Sequence, residues 1–78
     1  MKELIEFIAN SLVDDPTQVY VTQIQRGVSH QLHLHVAKED MGRVIGRNGR
    51  VANAMRLLLR VAAAKEGKRA NLEIEEPR

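Results

Sequence analysis

Cysteine is absent from this 78-residue chain, and with it go disulfides, iron–sulfur clusters and thiolate zinc sites. Tryptophan is absent too, leaving one Phe and one Tyr. No apolar run is long. The longest, Leu57-Leu58-Leu59 and Val61-Ala62-Ala63-Ala64, fall far short of the roughly 20 residues that cross a membrane. The opening Met1-Lys2-Glu3-Leu4-Ile5-Glu6 carries acids where a signal peptide needs a basic start and then an apolar stretch. A soluble cytoplasmic protein without membrane association is the expectation. This length suits a single domain over residues 1–78. So small a domain buries only about 60% of its unfolded surface, so without disulfides it depends on regular packing or a partner chain.

The formal net charge is only +2, but the charges are segregated. Between Met41 and Ala70 stand Arg43, Arg47, Arg50, Arg56, Arg60, Lys65, Lys68 and Arg69 against Glu66 alone, a net +7. The rest sets Lys2, Arg26, Lys38 and Arg78 against nine acids, a net −5. One basic face for a polyanion and one acidic face is the reading this favours; a merely solvated helix face would look similar.

Leu4, Ile5, Ile8, Ala9 and Leu12 recur at helical spacing over residues 3–13, with acids in the first turn where the helix dipole prefers them. Asp14-Asp15-Pro16 ends that helix. Val19-Tyr20-Val21-Thr22-Gln23-Ile24 is β-branched and aromatic and predicts a strand, Gly27 and Ser29 a turn. Leu32, Leu34 and Val36 alternate with polar residues, a strand with one buried and one wet face. Residues 38–45 fit a helix of about two turns. A longer helix spans about Arg50 to Lys65, with Gly67 just past its end. Asn71-Leu72-Glu73-Ile74-Glu75 alternates as a last strand, and Pro77-Arg78 is a tail.

The order is α-β-β-α-α-β. A pair of helices between the last two strands is the crossover that a parallel neighbour requires. The expected fold class is α+β: two layers, a three-stranded mixed sheet with residues 30–36 in the middle, and all helices on one face.

Gly46-Arg47-Asn48-Gly49 falls between two helices. Glycines at both ends allow a sharp turn and close approach of a ligand to the backbone. The following helix aims its N-terminal amides and positive dipole end at whatever sits there. Arg47 and Arg50 add donors suited to phosphate oxygens. The result is a seat for a phosphodiester backbone, although a plain helical corner with Asn48-Gly49 in left-handed angles would use the same residues. Gly42, Gly46 and Gly49 do not fit G-x-G-x-x-G, and no G-x-x-x-x-G-K-[ST] occurs, so nucleotide cofactors are not indicated.

Val44-Ile45-Gly46-Arg47-Asn48-Gly49 resembles the I-G-x-x-G signature of KH domains, and the element order resembles their type II, bacterial arrangement over nearly the whole chain. Leu12-Val13-Asp14-Asp15-Pro16 and Asn53-Ala54-Met55-Arg56 are similar to segments of the short stand-alone KhpA (YlqC-type) proteins of bacteria. The resemblance implies binding of single-stranded RNA, about four nucleotides being clamped by the loop, by a post-transcriptional regulator or RNA chaperone. It implies a groove between the loop's helices and the last strand, with Lys65–Arg69 as the variable loop. On that basis Gly46 and Gly49, with the amides of Asn48 and Gly49, hold phosphates, and Arg43, Arg47 and Arg50 supply charge. Val44, Ile45 and Val51 floor the bases, and Lys68 and Arg69 flank the far wall. With so few aromatics, stacking cannot provide most of the base affinity, so binding should be modest, salt-dependent and weakly sequence-selective.

On the long helix Asn53, Arg56 and Arg60 form one narrow polar stripe and nearly everything else is apolar, more than covering one sheet requires. Leu57, Val61 and Ala64 form a flank offered as a subunit contact, with packing inside the monomer as the alternative. The resemblance implies a homodimer, or a heterodimer with a second KH protein of the KhpB (EloR, Jag) type. A protein-interaction adaptor with little RNA affinity of its own is the competing function.

His33 and His35 share a strand face, but no third convergent ligand is evident, so no metal is expected. Asp14-Asp15 and Glu73, Glu75 and Glu76 suit solvated charge better than acid–base chemistry. No catalytic constellation stands out, and neither an enzyme nor a cofactor is expected.

Overall fold

The computed structural model describes residues 1–77; the tail residue Arg78 lies outside them. Helix α1 covers Lys2–Leu12, strand β1 Tyr20–Arg26, strand β2 Ser29–His35 and helix α2 Met41–Ile45. Helix α3 covers Arg50–Lys65 and strand β3 Arg69–Glu75. Single 3₁₀ turns precede β1 at Pro16–Gln18 and α2 at Lys38–Asp40.

β2 is central, antiparallel to β1 and parallel to β3. The β1–β2 hairpin turns through two residues, Gly27-Val28, since Arg26 pairs with Ser29. Along β2 the alternation read from the sequence decides the faces. His30, Leu32, Leu34 and the following Val36 are buried, while Ser29, Gln31, His33 and His35 line the open face. Helices α1 and α3 cover the other face. Ile5 and Ala9 of α1, Met55, Leu59 and Ala63 of α3, and Val44 of α2 join Val21, Leu32, Leu34, Ala70 and Leu72 in one core. Each large aliphatic side chain fully buried here contributes on the order of 1.5–3 kcal/mol.

The two-turn helix expected at 38–45 is one 3₁₀ turn followed by five α residues. The change of pitch falls at Asp40, whose side chain is only 2% exposed. Its two carboxylate oxygens accept the Asp14 and Asp15 amides at 3.0 and 3.1 Å. A buried carboxylate costs several kcal/mol unless its lone pairs are satisfied, and these amides satisfy it. The chain after α1 is thereby tied to the start of α2, which fixes the position of the loop that follows.

Candidate nucleic-acid interface

Gly46 ends α2 with φ 76° and ψ 176°, a region essentially confined to glycine. A Cβ built there would lie 2.9 Å from both the nitrogen and the Cβ of Val51, and nearer still to its Cγ2. The first loop glycine is therefore required twice over, by its angles and by the closeness of α3. Its amide donates to Gly42 O at 2.9 Å, closing α2. Asn48 (φ 58°) and Gly49 (φ 76°) then take left-handed angles, and Gly49 is the N-cap of α3. No side chain caps α3 and no acid stands in its first turn. Its orphan N–H groups and positive dipole end are consequently open beside the exposed Arg47 and Arg50.

Several residues named from the sequence sit otherwise than expected. Val44 is fully buried and supports the loop from below, so it cannot floor a base; on so short a helix only one of two adjacent apolar side chains turns outward, and that one is Ile45. Ile45 is 36% exposed and Val51 half-buried. The Gly49 amide does not face outward, because it donates to Gly46 O at 3.2 Å to close the turn. Arg43 is not a free charge: its Nη2 donates to Asp14 Oδ2 at 2.9 Å, and its Nε lies 3.5 Å from Asp40 Oδ1.

A groove runs between α3 and the outer edge of β3. Its wall is the Arg56–Arg60 stripe of α3, and a cleft of about 290 Å³ there is also lined by Asn71, Leu72 and Glu73. Arg56 spans it, with Nε donating to Leu72 O at 3.2 Å and Nη1 to Asn53 Oδ1 at 3.2 Å. Toward the end of α3 the groove continues past Lys68 and Arg69, the residues that the resemblance to KH domains assigns to its far wall. Gly67 ends the helix at φ 70°, and the Lys68 amide donates to Ala63 O. Arg56 and Arg60 were legible as a polar stripe but not as groove residues. Only the packing of α3 along β3 turns that stripe toward the strand edge.

On the solvent-facing flank of α3 next to that stripe, Leu57, Leu58 and Val61 are 58%, 50% and 48% exposed. Leu57 and Val61 thus face solvent in the single chain and Leu58 extends them, whereas Ala64 turns toward the groove beside Arg60 and Lys68. On the open sheet face His35 stacks on Tyr20 at 4.1 Å, and His33 Nδ1 pairs with Glu75 Oε1. No group of three metal-ligating side chains converges among the described residues, and no helix among them is long and apolar enough to cross a membrane. The Glu3 carboxyl is held below its ordinary range by backbone N–H donation at the start of α1 and by the Met1 ammonium, remote from the loop.

Residues 2–74 match the family model described as KhpA/KhpB, KH domain. The RNA-binding protein KhpA of Clostridium acetobutylicum is 51% identical over 74 residues, covering 95% of this chain and 99% of that protein. The protein of the same name from Clostridium perfringens is 50% identical with the same coverage. That of Listeria monocytogenes is 46% identical over 76 residues, covering 97% and 100%. No solved structure matches the chain. These relatives are named for binding RNA and not for an enzymatic activity, and their fold class, a type II KH domain, agrees with the mixed sheet and three helices described above. The chain belongs to the KhpA/KhpB family of KH domains.

Proposed function

We propose that this chain binds single-stranded RNA, seating the phosphodiester backbone on Gly46-Arg47-Asn48-Gly49 and laying the bases along the α3–β3 groove. The observation that carries this reading is the loop itself. Gly46 tolerates no side chain, and the α3 N-terminus beyond it is uncapped and free of acids, flanked by the exposed Arg47 and Arg50, which pair with no acid among the described residues. A tight turn needed only for folding has no use for so much uncompensated positive potential. Arg47 and Arg50 meet phosphate directly. Arg43, neutralised by Asp14, tunes the loop rather than gripping RNA. Ile45 and Val51 touch the first bases, and Arg56, Arg60, Lys68 and Arg69 line the path. The relatives' common name, RNA-binding protein, supports the ligand class.

Replacing Arg47 and Asn48 together by Asp tests the seat. Binding of short single-stranded RNA should fall at least tenfold while the circular-dichroism spectrum is unchanged, since both side chains are exposed. A folded variant with wild-type affinity would contradict the assignment.

A second element rests on the exposed Leu57, Leu58 and Val61. Three large apolar residues on one ridge of so small a domain suit a second chain better than water. The ridge pairs two copies or one copy with another KH protein, which sets two modest RNA sites side by side, as suits a post-transcriptional regulator or RNA chaperone. The adaptor reading keeps this ridge and drops the RNA; it predicts that wild type pairs fully yet shows no salt-sensitive RNA binding.

A further inference from the structure

The groove along β3 does not stop at the strand edge. Asn71 lines the cleft beside Arg56 and Arg60 and the cleft beside Lys68 and Arg69. It also lines a third cleft of about 240 Å³ on the open face of the sheet, with Ile24, Arg26, Ser29 and Gln31. Gln31 is likewise shared between the first and the third. The three clefts therefore adjoin one another around the outer edge of β3, from α3 onto the face of the sheet that no helix covers.

The chemistry of the third cleft is not that of a solvated sheet face. Strand register sets Arg26 opposite Ser29 and Ser29 beside Arg69, so two guanidinium groups flank one end of the sheet. One row further along, Ile24, Gln31 and Asn71 lie side by side. That row combines an apolar surface, 53% exposed at Ile24, with two carboxamides, the side chains that pair with the donor and acceptor edge of a base. The next rows carry Glu73, which also borders the first cleft opposite Arg56 and Arg60, and Glu75, beside His33 and His35, and these carboxylates repel a phosphodiester. A strand emerging at Asn71 is thus steered toward Arg26 and away from the Tyr20–His35 stack.

We propose that the open-face cleft is a further nucleotide site, taking one base of the same single-stranded RNA just beyond the stretch held by the groove. The base lies on Ile24, its edge meets the amides of Gln31 and Asn71, and its phosphate meets Arg26. This rests on the reading of the groove as the RNA path, but makes a separate demand: the footprint exceeds four nucleotides. Charge complementarity and adjacency to the groove select RNA as the occupant. A basic peptide would be drawn instead to the Glu73–Glu75 end.

Fluorescence anisotropy with adenylate RNAs of four and seven nucleotides tests it, using wild type, Arg26→Ala and Ile24→Ala. Both substitutions are at exposed positions, and near-wild-type melting is expected. Each variant should weaken the longer RNA about fivefold and leave the shorter one unchanged. Arg26→Ala should also lower the slope of log affinity against log salt by about 0.7 for the longer RNA only. Register statistics are equal for wild type and variants and cancel in the comparison. Equal effects on both lengths, or none on the longer, overturn the extra site while the groove stands. A wild type that binds neither length overturns both.

Discussion

Gly46→Ala separates the geometric demands on the loop from those of an ordinary helix end. Two costs add at this position. A φ of 76° with ψ of 176° costs a non-glycine residue about 1–3 kcal/mol. The new Cβ would also stand 2.9 Å from Val51 N and Cβ, and relieving such overlap in a packed region costs about 1–3 kcal/mol. A total near 3 kcal/mol is expected, a large share of the roughly 4–12 kcal/mol that a domain of this size commands. Gly49→Ala makes the comparison. Its φ is also 76°, but with a ψ of 13° in the ordinary left-handed region, and the nearest atom to its Cβ is Asn53 Nδ2 at 3.9 Å. It should cost only about 1–2 kcal/mol. Urea titrations followed by circular dichroism measure both. Adding Val51→Ala to Gly46→Ala removes Cγ2 but not the backbone overlap, so about 1 kcal/mol of coupling should appear in a double-mutant cycle. If Gly46→Ala is no worse than Gly49→Ala, the close approach of α3 to the loop is wrong.

Asp40→Ala leaves the Asp14 and Asp15 amides without their acceptor and should destabilise by about 2–3 kcal/mol in the same urea assay, whereas Asp14→Asn, breaking only an exposed pair with Arg43, should cost under about 1 kcal/mol. His30 is 4% exposed, its Nδ1 pairs with Gln23 Nε2 and its Nε2 has no hydrogen-bond partner among the described residues, so His30→Leu, which removes the bond and the unpaired atom together, should change stability by no more than about 1 kcal/mol, read as a melting temperature close to wild type. Val61→Glu, at an exposed position, should keep the fold and shift sedimentation from a pair to a single chain; an unchanged sedimentation coefficient would remove the ridge as an interface.

The parts of this molecule governed by short-range pattern are legible in the sequence. Alternation at Leu32, Leu34 and Val36 gave the central strand and its buried face, and two helices between the last strands supplied the crossover that a parallel pairing needs. Gly-x-x-Gly between helices, supported by the resemblance to KH domains, located the loop. What was not legible depends on contacts between distant residues. Arg43 and Asp14 are 29 positions apart, and nothing local foretells that this arginine is already partnered. Arg26 sits within the acidic part of the sequence, yet strand register sets it across Ser29 from Arg69, at the same end of the sheet. Val44 and Ile45 are neighbours of equal hydrophobicity, and only the direction in which α2 meets the core decides which is exposed. Arg56 and Arg60 were visible as a stripe, but the stripe acquired a role only when β3 was placed beneath it.

The central claim is that RNA lies on the loop and follows the edge of β3. Amide chemical shifts recorded while a short single-stranded RNA is titrated in test it most directly. Gly46 through Ala52 and Ala70 through Leu72 should move together, with smaller effects as salt is raised. Shifts confined to the Leu57–Val61 ridge, with the loop amides unmoved, would contradict it.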